Sequence, residues 1–566
     1  MERNIADRYA QEIKALGEEG RQFAAEFPEA GKLLDLDNVE DRDPYVERMI
    51  ESFAFLTSRS REATEAVQDG LDRVFLDMVG GDLEESLPAL MVAEFLPRRS
   101  LVGSVSIPQG AALESGSARQ PIHWALLHDH HVHPLDLRSA RVTTTDAQEC
   151  VLEWHLSWFS PSPPQHWPDR LRFFLHGDAA IAWALRFSLT RRLARVETMS
   201  ASGRWVPLEG VRIEPAQLPG YSPQGDASHP FSRMRDFLCA DEGARFLDLR
   251  GLGAVANGST LSLRLHLAEP MPRVLAKAVQ ASNFRFHAAI SINRFDDGHC
   301  TLHCDHTRSE QVLRPEGGAE VEILNVLSVE GVEQTKVPTR VRYAKHGTFR
   351  HGSGEGRFFR TRRGLDRSGR SMHFLSVAHR EPAMPFEDSF LVVRAQFCDG
   401  NKPHEMGSVR DLRAKGLPRG VGVGALSRPG PRLMPPAHIS DSMRLYPLAA
   451  VHFQGLMDPI RLRDLLRLWI WDPAESKRGL VESILSVSSE TGHELVGGIA
   501  FPLQTIHLRM RDTTCAVDTW ERLGVIDAFG AALADLFSGQ VPLGFRCRLV
   551  LVVEPCGVVL EFGQRR

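Results

Sequence analysis

A change of period constrains this chain more than any other feature. Over the first ~90 residues apolar side chains recur at helical steps, and beyond Pro88 they recur in short strand-like runs. Tyr9, Ile13, Leu16, Phe23 and Phe27 follow mixed intervals of three, four and seven, as on an amphipathic helix. Pro28 and Gly31 interrupt that pattern. Asp43-Pro44 then opens a second helix, with Asp as N-cap and Pro at the first helical position. Val46, Met49, Ile50, Phe53 and Leu56 line one face of it. A third stretch, Ala63 to Val79, places Val67, Leu71, Val74, Phe75 and Met78 on one side before Gly80-Gly81 ends it. Residues 1–90 hold 22 acidic and 10 basic side chains, while the whole 566-residue chain carries only −5. Helices this acidic outside and apolar on one face pack on each other or on a partner's helices.

The runs Ala89–Phe95, Val102–Ile107, Ile122–Leu127 and Val151–Trp158 read as strands between Gly, Ser and Pro turns. Leu171–His176 is a further strand; the turn Gly177-Asp178 leads into a helix carrying Ile181, Leu185 and Leu189. Near the C-terminus, Asp458-Pro459 opens a helix through Leu462, Leu465, Leu466 and Trp469. Val525, Phe529, Leu533 and Phe537 step by four along another, and Arg546–Val553 is a buried-strand candidate. The expected fold is α+β and multidomain. A helical arm or bundle (1–90) precedes a β-rich domain with one helix (91–207), a β-rich middle domain with long loops (208–435) and a C-terminal α/β domain (436–566). No 20–50-residue repeat is present, which argues against a solenoid or propeller.

With 25% charged and 43% hydrophobic residues, the chain has the composition of a globular protein rather than a disordered or fibrous one. The near-neutral balance implies neither a nucleic-acid nor a membrane partner. No apolar run approaches the ~18 residues of a spanning helix. The charged N-terminus lacks a secretory apolar segment, so the chain is expected to stay where it is made. Eight irregularly spaced cysteines point to reduced thiols rather than a disulfide framework.

Two clusters invite a metal. His299-Cys300-Thr301-Leu302-His303-Cys304-Asp305-His306 offers imidazoles and thiols, zinc's preferred donors. In a strand, however, Cys300 and Cys304 would face away from His299 and His303, and no second ligand pair is evident. His128-Asp129-His130-His131-Val132-His133 fits a strand end with solvated imidazoles. Gly420-Val421-Gly422-Val423-Gly424 is not a dinucleotide fingerprint and reads as part of a Pro/Arg-containing loop. Phosphate-loop, zincin and nucleophile-elbow patterns are absent from the sequence. No catalytic residue, cofactor or metal ligand is assigned, and an enzyme is not expected. Two competing readings are a metal-dependent hydrolase using His299, His303 and His306, and a nucleic-acid module using the Arg357–Arg370 stretch.

Several segments in order resemble the TssF family, the wedge protein of the type VI secretion baseplate. They are Phe23–Pro28, Asp43–Arg48, Glu51–Leu56, Ser106-Ile107-Pro108-Gln109-Gly110, Leu171–Asp178, Arg245–Gly251, Asp305-His306-Thr307-Arg308, Cys398–Pro403 and Leu426–Pro431, the last closed by Pro435-Pro436. The family's tyrosine-rich opening is reduced here to Tyr9, and the last ~130 residues match mainly in pattern. The resemblance implies a structural protein of a contractile, phage tail-like injection machine. Two copies would pair with one TssG-like protein through a helical bundle. TssE, TssK and the spike protein VgrG would be further partners, without nucleic acid or membrane insertion. The implied location is cytoplasmic, in a baseplate docked at the inner-membrane complex. Val46, Met49, Ile50, Phe53 and Leu56 are the expected bundle-facing positions, and Val525, Phe529, Leu533 and Phe537 the expected contacts between wedges.

Overall fold

The computed structural model describes residues 2–33, 43–80, 86–117, 120–144, 149–161, 166–200, 202–221, 230–255, 258–296, 298–303, 310–315, 321–333, 339–346, 356–365, 370–379, 388–435, 453–472, 477–516 and 519–563. They fall into two compact units. One holds the N-terminal helices to Val79; the other holds Gly80–Pro436 and Ala450–Arg566.

In the first unit, helix α1 (Glu2–Glu26) stops where Pro28 withholds a backbone donor, and α2 (Pro28–Leu33) follows. The chain bends so sharply there that a Cβ on Gly31 would lie 2.6 Å from the Cβ of Ala24. Helix α3 (Pro44–Gly80) begins as its sequence predicts, with Asp43 Oδ1 accepting the amide of Tyr45 at 2.7 Å. It then runs unbroken for 37 residues. The two helical stretches expected from Asp43 and Ala63 are therefore one. No Gly or Pro lies between Tyr45 and Asp69, so the polar run Thr57–Glu62 changes the exposed face without breaking the backbone.

The second unit is built from sheets that draw on distant parts of the chain. Among the described residues, a six-stranded sheet has Leu90–Pro97 next to one edge, pairing antiparallel with Ala288–Ile292 on its inner side and Val421–Ala425 on the other. Its core includes Met91, Phe95, Trp124, Leu126 and Ala289. The Gly420–Gly424 segment expected as a loop is thus mostly an outer strand of this sheet, its small residues facing Glu94 and Leu96 in register. A five-stranded sheet pairs Cys150–Trp158 with Thr260–Leu267, and a four-stranded one pairs Arg170–Leu175 with Phe246–Arg250. The expected division at 207/208 is consequently not a boundary, since both sheets take strands from either side of it. A seven-stranded sheet spans His299–His303 to Ser371–His379 and Asp388–Cys398 around Val329, Tyr343, Phe359, Leu391 and Val393.

The C-terminal segment belongs to the same unit and supplies a four-stranded sheet of Ile484–Val496, Ile499–Arg511, Arg546–Glu554 and Val558–Gly563. The helix Pro459–Arg467 starts at Asp458, whose Oδ1 accepts the Ile460 amide at 2.9 Å, and it buries Leu462, Leu465 and Leu466 as its spacing predicts. Between strands, the helix Trp520–Ser538 packs on two earlier helices, α4 (Ala179–Arg191) and α5 (Pro230–Cys239). Gly524 makes that approach possible, because a Cβ there would collide with the carbonyl of Trp183.

Candidate assembly interface

Among its described side chains the first unit buries none that is both apolar and large. Its buried described side chains are Glu12, Ala24, Ala54 and Ser58, with Gly31 at the bend. On α3, Ala54, Ser58 and Arg61 share a face, and Arg61 pairs with Glu12 of α1. At roughly 100° per residue, Val46, Met49, Phe53 and Leu56 form a separate stripe on the same helix. Met49 is 59%, Phe53 56% and Leu56 61% exposed, while Val46 and Ile50 are half-buried. The spacing 46, 49, 53, 56 is the alternating three-and-four step of a helix seam. Three exposed apolar residues on one stripe, with half-buried Val46 at its start, are costly unless something covers them.

Phe23 of α1 and Phe27 just beyond its end are also exposed, with ring centroids 5.1 Å apart and ring planes tilted by 37°. Leu33, Tyr45 and Phe55 add to the uncovered apolar surface and were not singled out by the helical pattern. Phe55 lies one position off the stripe and Tyr45 sits at the cap, so periodicity alone does not find them.

The second nominated face has another use. Phe529, Leu533 and Phe537 are fully buried in the chain's own core, and Val525 is half-buried. The step of four along this helix reports its packing on α4, α5 and the neighbouring sheet, so the expected contact between wedges is corrected for this face. The same helix carries Asp527, which sits 3.2 Å from Nη2 of Arg186 and 2.5 Å from Nε of Arg191. Arg191 also donates to the Glu561 carbonyl at 2.7 Å and covers the Phe562 ring at 4.3 Å. Burial lowers the pKa of Arg186, and the Asp527 carboxylate opposes that shift.

The segments that carry the resemblance fasten the architecture. Asp248 and Arg172 are opposed in register and joined by two hydrogen bonds, Nε–Oδ1 at 2.7 Å and Nη2–Oδ2 at 3.0 Å. Asp178 Oδ1 caps α4 through the Ala180 amide at 2.8 Å. Asp399 Oδ2 accepts from Asn293 Nδ2 and from the His123 amide, each at 2.8 Å, while its own amide donates to Asn293 Oδ1. Ser427 Oγ accepts the Val92 amide at 2.9 Å and holds the Leu426–Pro431 segment on the central sheet. In Ser106–Gly110, the Gln109 amide donates to Asp129 Oδ1 at 2.8 Å. These polar residues satisfy backbone amides and one another, which is what large β-rich modules require.

The tempting clusters come apart. His299–His303 is an end strand of the seven-stranded sheet; Cys300 turns into the core while His299 and His303 face outward. Cys304, Asp305 and His306 lie outside the described residues. Among the described residues, no group of three or more His, Cys, Asp or Glu side chains is arranged to hold a metal. His128 and His130, expected to be solvated, are buried, because Ile107 pairs with His130 and the ring packs at 5.3 Å from Phe95. Burial lowers the His128 pKa to about 4 and that of His133 to about 3, and pushes His130 well down. The basic stretch forms the strand Arg357–Leu365, with Phe359 in the core and Arg362 held by Glu310 at 2.6 Å.

No described helix is long and apolar enough to cross a membrane. In sequence, 116 residues are 31% identical to the type VI secretion system component TssF1 of Pseudomonas aeruginosa, a match covering 20% of this chain and 19% of that one. The fold is similar to a chain of a TssK-TssF-TssG baseplate subcomplex solved by cryo-electron microscopy. That likeness has a TM-score of 0.75 at 20% identity, over 92% of this chain and 99% of the other. A chain in a baseplate complex of the type VI secretion system is also similar, with a TM-score of 0.57 at 19% identity over 99% and 98% of the two chains. The family description "Type VI secretion system, TssF" matches residues 1–551, and with that span the chain belongs to the TssF family.

Proposed function

We propose that this chain is a structural wedge component of a type VI secretion baseplate. The observation that carries the reading is the exposure of Met49, Phe53 and Leu56 on one apolar stripe of a helix whose described side chains bury only Ala54 and Ser58. The stripe's occupant is a helical partner, and family membership points to a TssG-like protein with a second copy of this chain beside it. The similar chain solved within a TssK-TssF-TssG subcomplex supports TssG- and TssK-like partners. Contacts with TssE and the VgrG spike, and docking of the assembly at the inner-membrane complex, follow from the same wedge role. Burial of apolar anchors would provide affinity, and the acidic surroundings would steer approach.

Co-expression with the TssG-like protein of the same system, followed by native mass measurement, tests the proposal. A complex with two copies of this chain per partner is the expected result. A monomer that does not associate with that partner would overturn it.

A further inference from the structure

We propose that Cys515 and Cys556 are a redox-responsive pair that closes into a reversible disulfide. Their sulfur atoms are 3.6 Å apart. They lie just beyond the ends of two neighbouring parallel strands, where Arg511 and Glu554 are in register. The turns bearing them are already tied together, since the Asp512 amide donates to the Glu554 carbonyl at 2.8 Å. The Cys515 amide closes back on the Asp512 carbonyl at 3.1 Å, and the Gly557 amide on the Val553 carbonyl at 2.8 Å. Closing the remaining gap to the ~2.05 Å of a disulfide asks for side-chain rotation and a small turn adjustment.

The two thiols have different environments and different roles. Cys556 is half-buried, and its Sγ lies 3.5 Å from the Val553 carbonyl. Cys515 is buried, and burial pushes its thiol up to about 12. Cys556 is the less buried of the two, and it is therefore the thiol that attacks first, as its thiolate. With glutathione disulfide as oxidant, it bonds to one glutathione sulfur and expels the other as a thiolate, which takes up a proton. Cys515 then loses its proton, bonds to the Cys556 sulfur and expels the second glutathione. Two protein thiols are oxidised and one glutathione disulfide is reduced to two thiols. The closed loop contains the helix Trp520–Ser538, so oxidation would tie both ends of the segment that centres this part of the core.

The full-length protein, treated with glutathione disulfide and alkylated, reads this out by mass and peptide mapping. The expected product carries two fewer alkyl groups than the equally treated reduced protein (before alkylation it is lighter by about 2 Da, the two hydrogens lost on closure) and yields a reducible peptide pair joining Cys515 to Cys556. Folded Cys515→Ser should hold glutathione on Cys556, and folded Cys556→Ser should leave Cys515 unmodified. Retention of all eight thiols by the folded wild type, pairing elsewhere, or stable glutathione on wild-type Cys556 would each overturn the proposal. Glutathione on Cys515 in Cys556→Ser would overturn the assigned order of attack.

Discussion

Asp527 of the helix Trp520–Ser538 meets Arg186 of α4 at 3.2 Å with both side chains shut away from water. Asp527→Asn would leave a fully buried guanidinium without its counter-charge. Removing one partner of such a pair typically costs about 3–5 kcal/mol. Chemical denaturation should show the loss at neutral pH. The paired change Arg186→Met with Asp527→Leu should recover only part of it, because Arg191 also loses this carboxylate, and a double-mutant cycle measures the recovery.

Phe53→Asp separates association from folding. The ring is exposed in the free chain, so the substitution should alter stability by no more than about 0.5 kcal/mol. A carboxylate in the middle of the apolar stripe should nevertheless abolish co-purification with the TssG-like partner. Pull-down alongside thermal unfolding distinguishes the effects, and retained binding would show that this stripe is not the contact.

His128 and His133 make stability depend on pH. Their pKa values are lowered in the fold to about 4 and about 3, so the folded state favours neutral rings. Their stabilising contribution is complete above the unfolded histidine value of about 6.5. As pH falls below it the unfolded chain binds the extra protons, and the contribution is lost progressively until the folded values are passed. For His128, the fall from about 6.5 to about 4 corresponds to roughly 3 kcal/mol. Denaturation at pH 7.5, 6 and 5 should show falling stability, and His128→Gln should have a shallower dependence over that range.

Where a local rule settled conformation, the sequence was easy to read. Asp43-Pro44 and Asp458-Pro459 marked real helix starts because cap and first-turn preferences act over a few residues. The alternation at His299–His303 correctly separated Cys300 from the two histidines because strand faces alternate. Three exposed stripe residues, Met49, Phe53 and Leu56, were legible from helical spacing, but helical spacing at Phe529, Leu533 and Phe537 marked a core. Periodicity identifies an apolar face without saying what covers it. Domain limits were obscured for a related reason: Leu90–Pro97 finds its partners near residues 290 and 423, separations no local pattern encodes.

The continuity of α3 has a mechanical consequence. Over 37 residues it is a shaft of about 55 Å, with each residue advancing the angle by about 100°. The stripe near its start and the backbone at its end therefore share one rotational phase. Adding or removing a single residue midway would swing one end by more than a quarter turn relative to the other. Anything that grips the first three turns sets the angular heading of the whole rod.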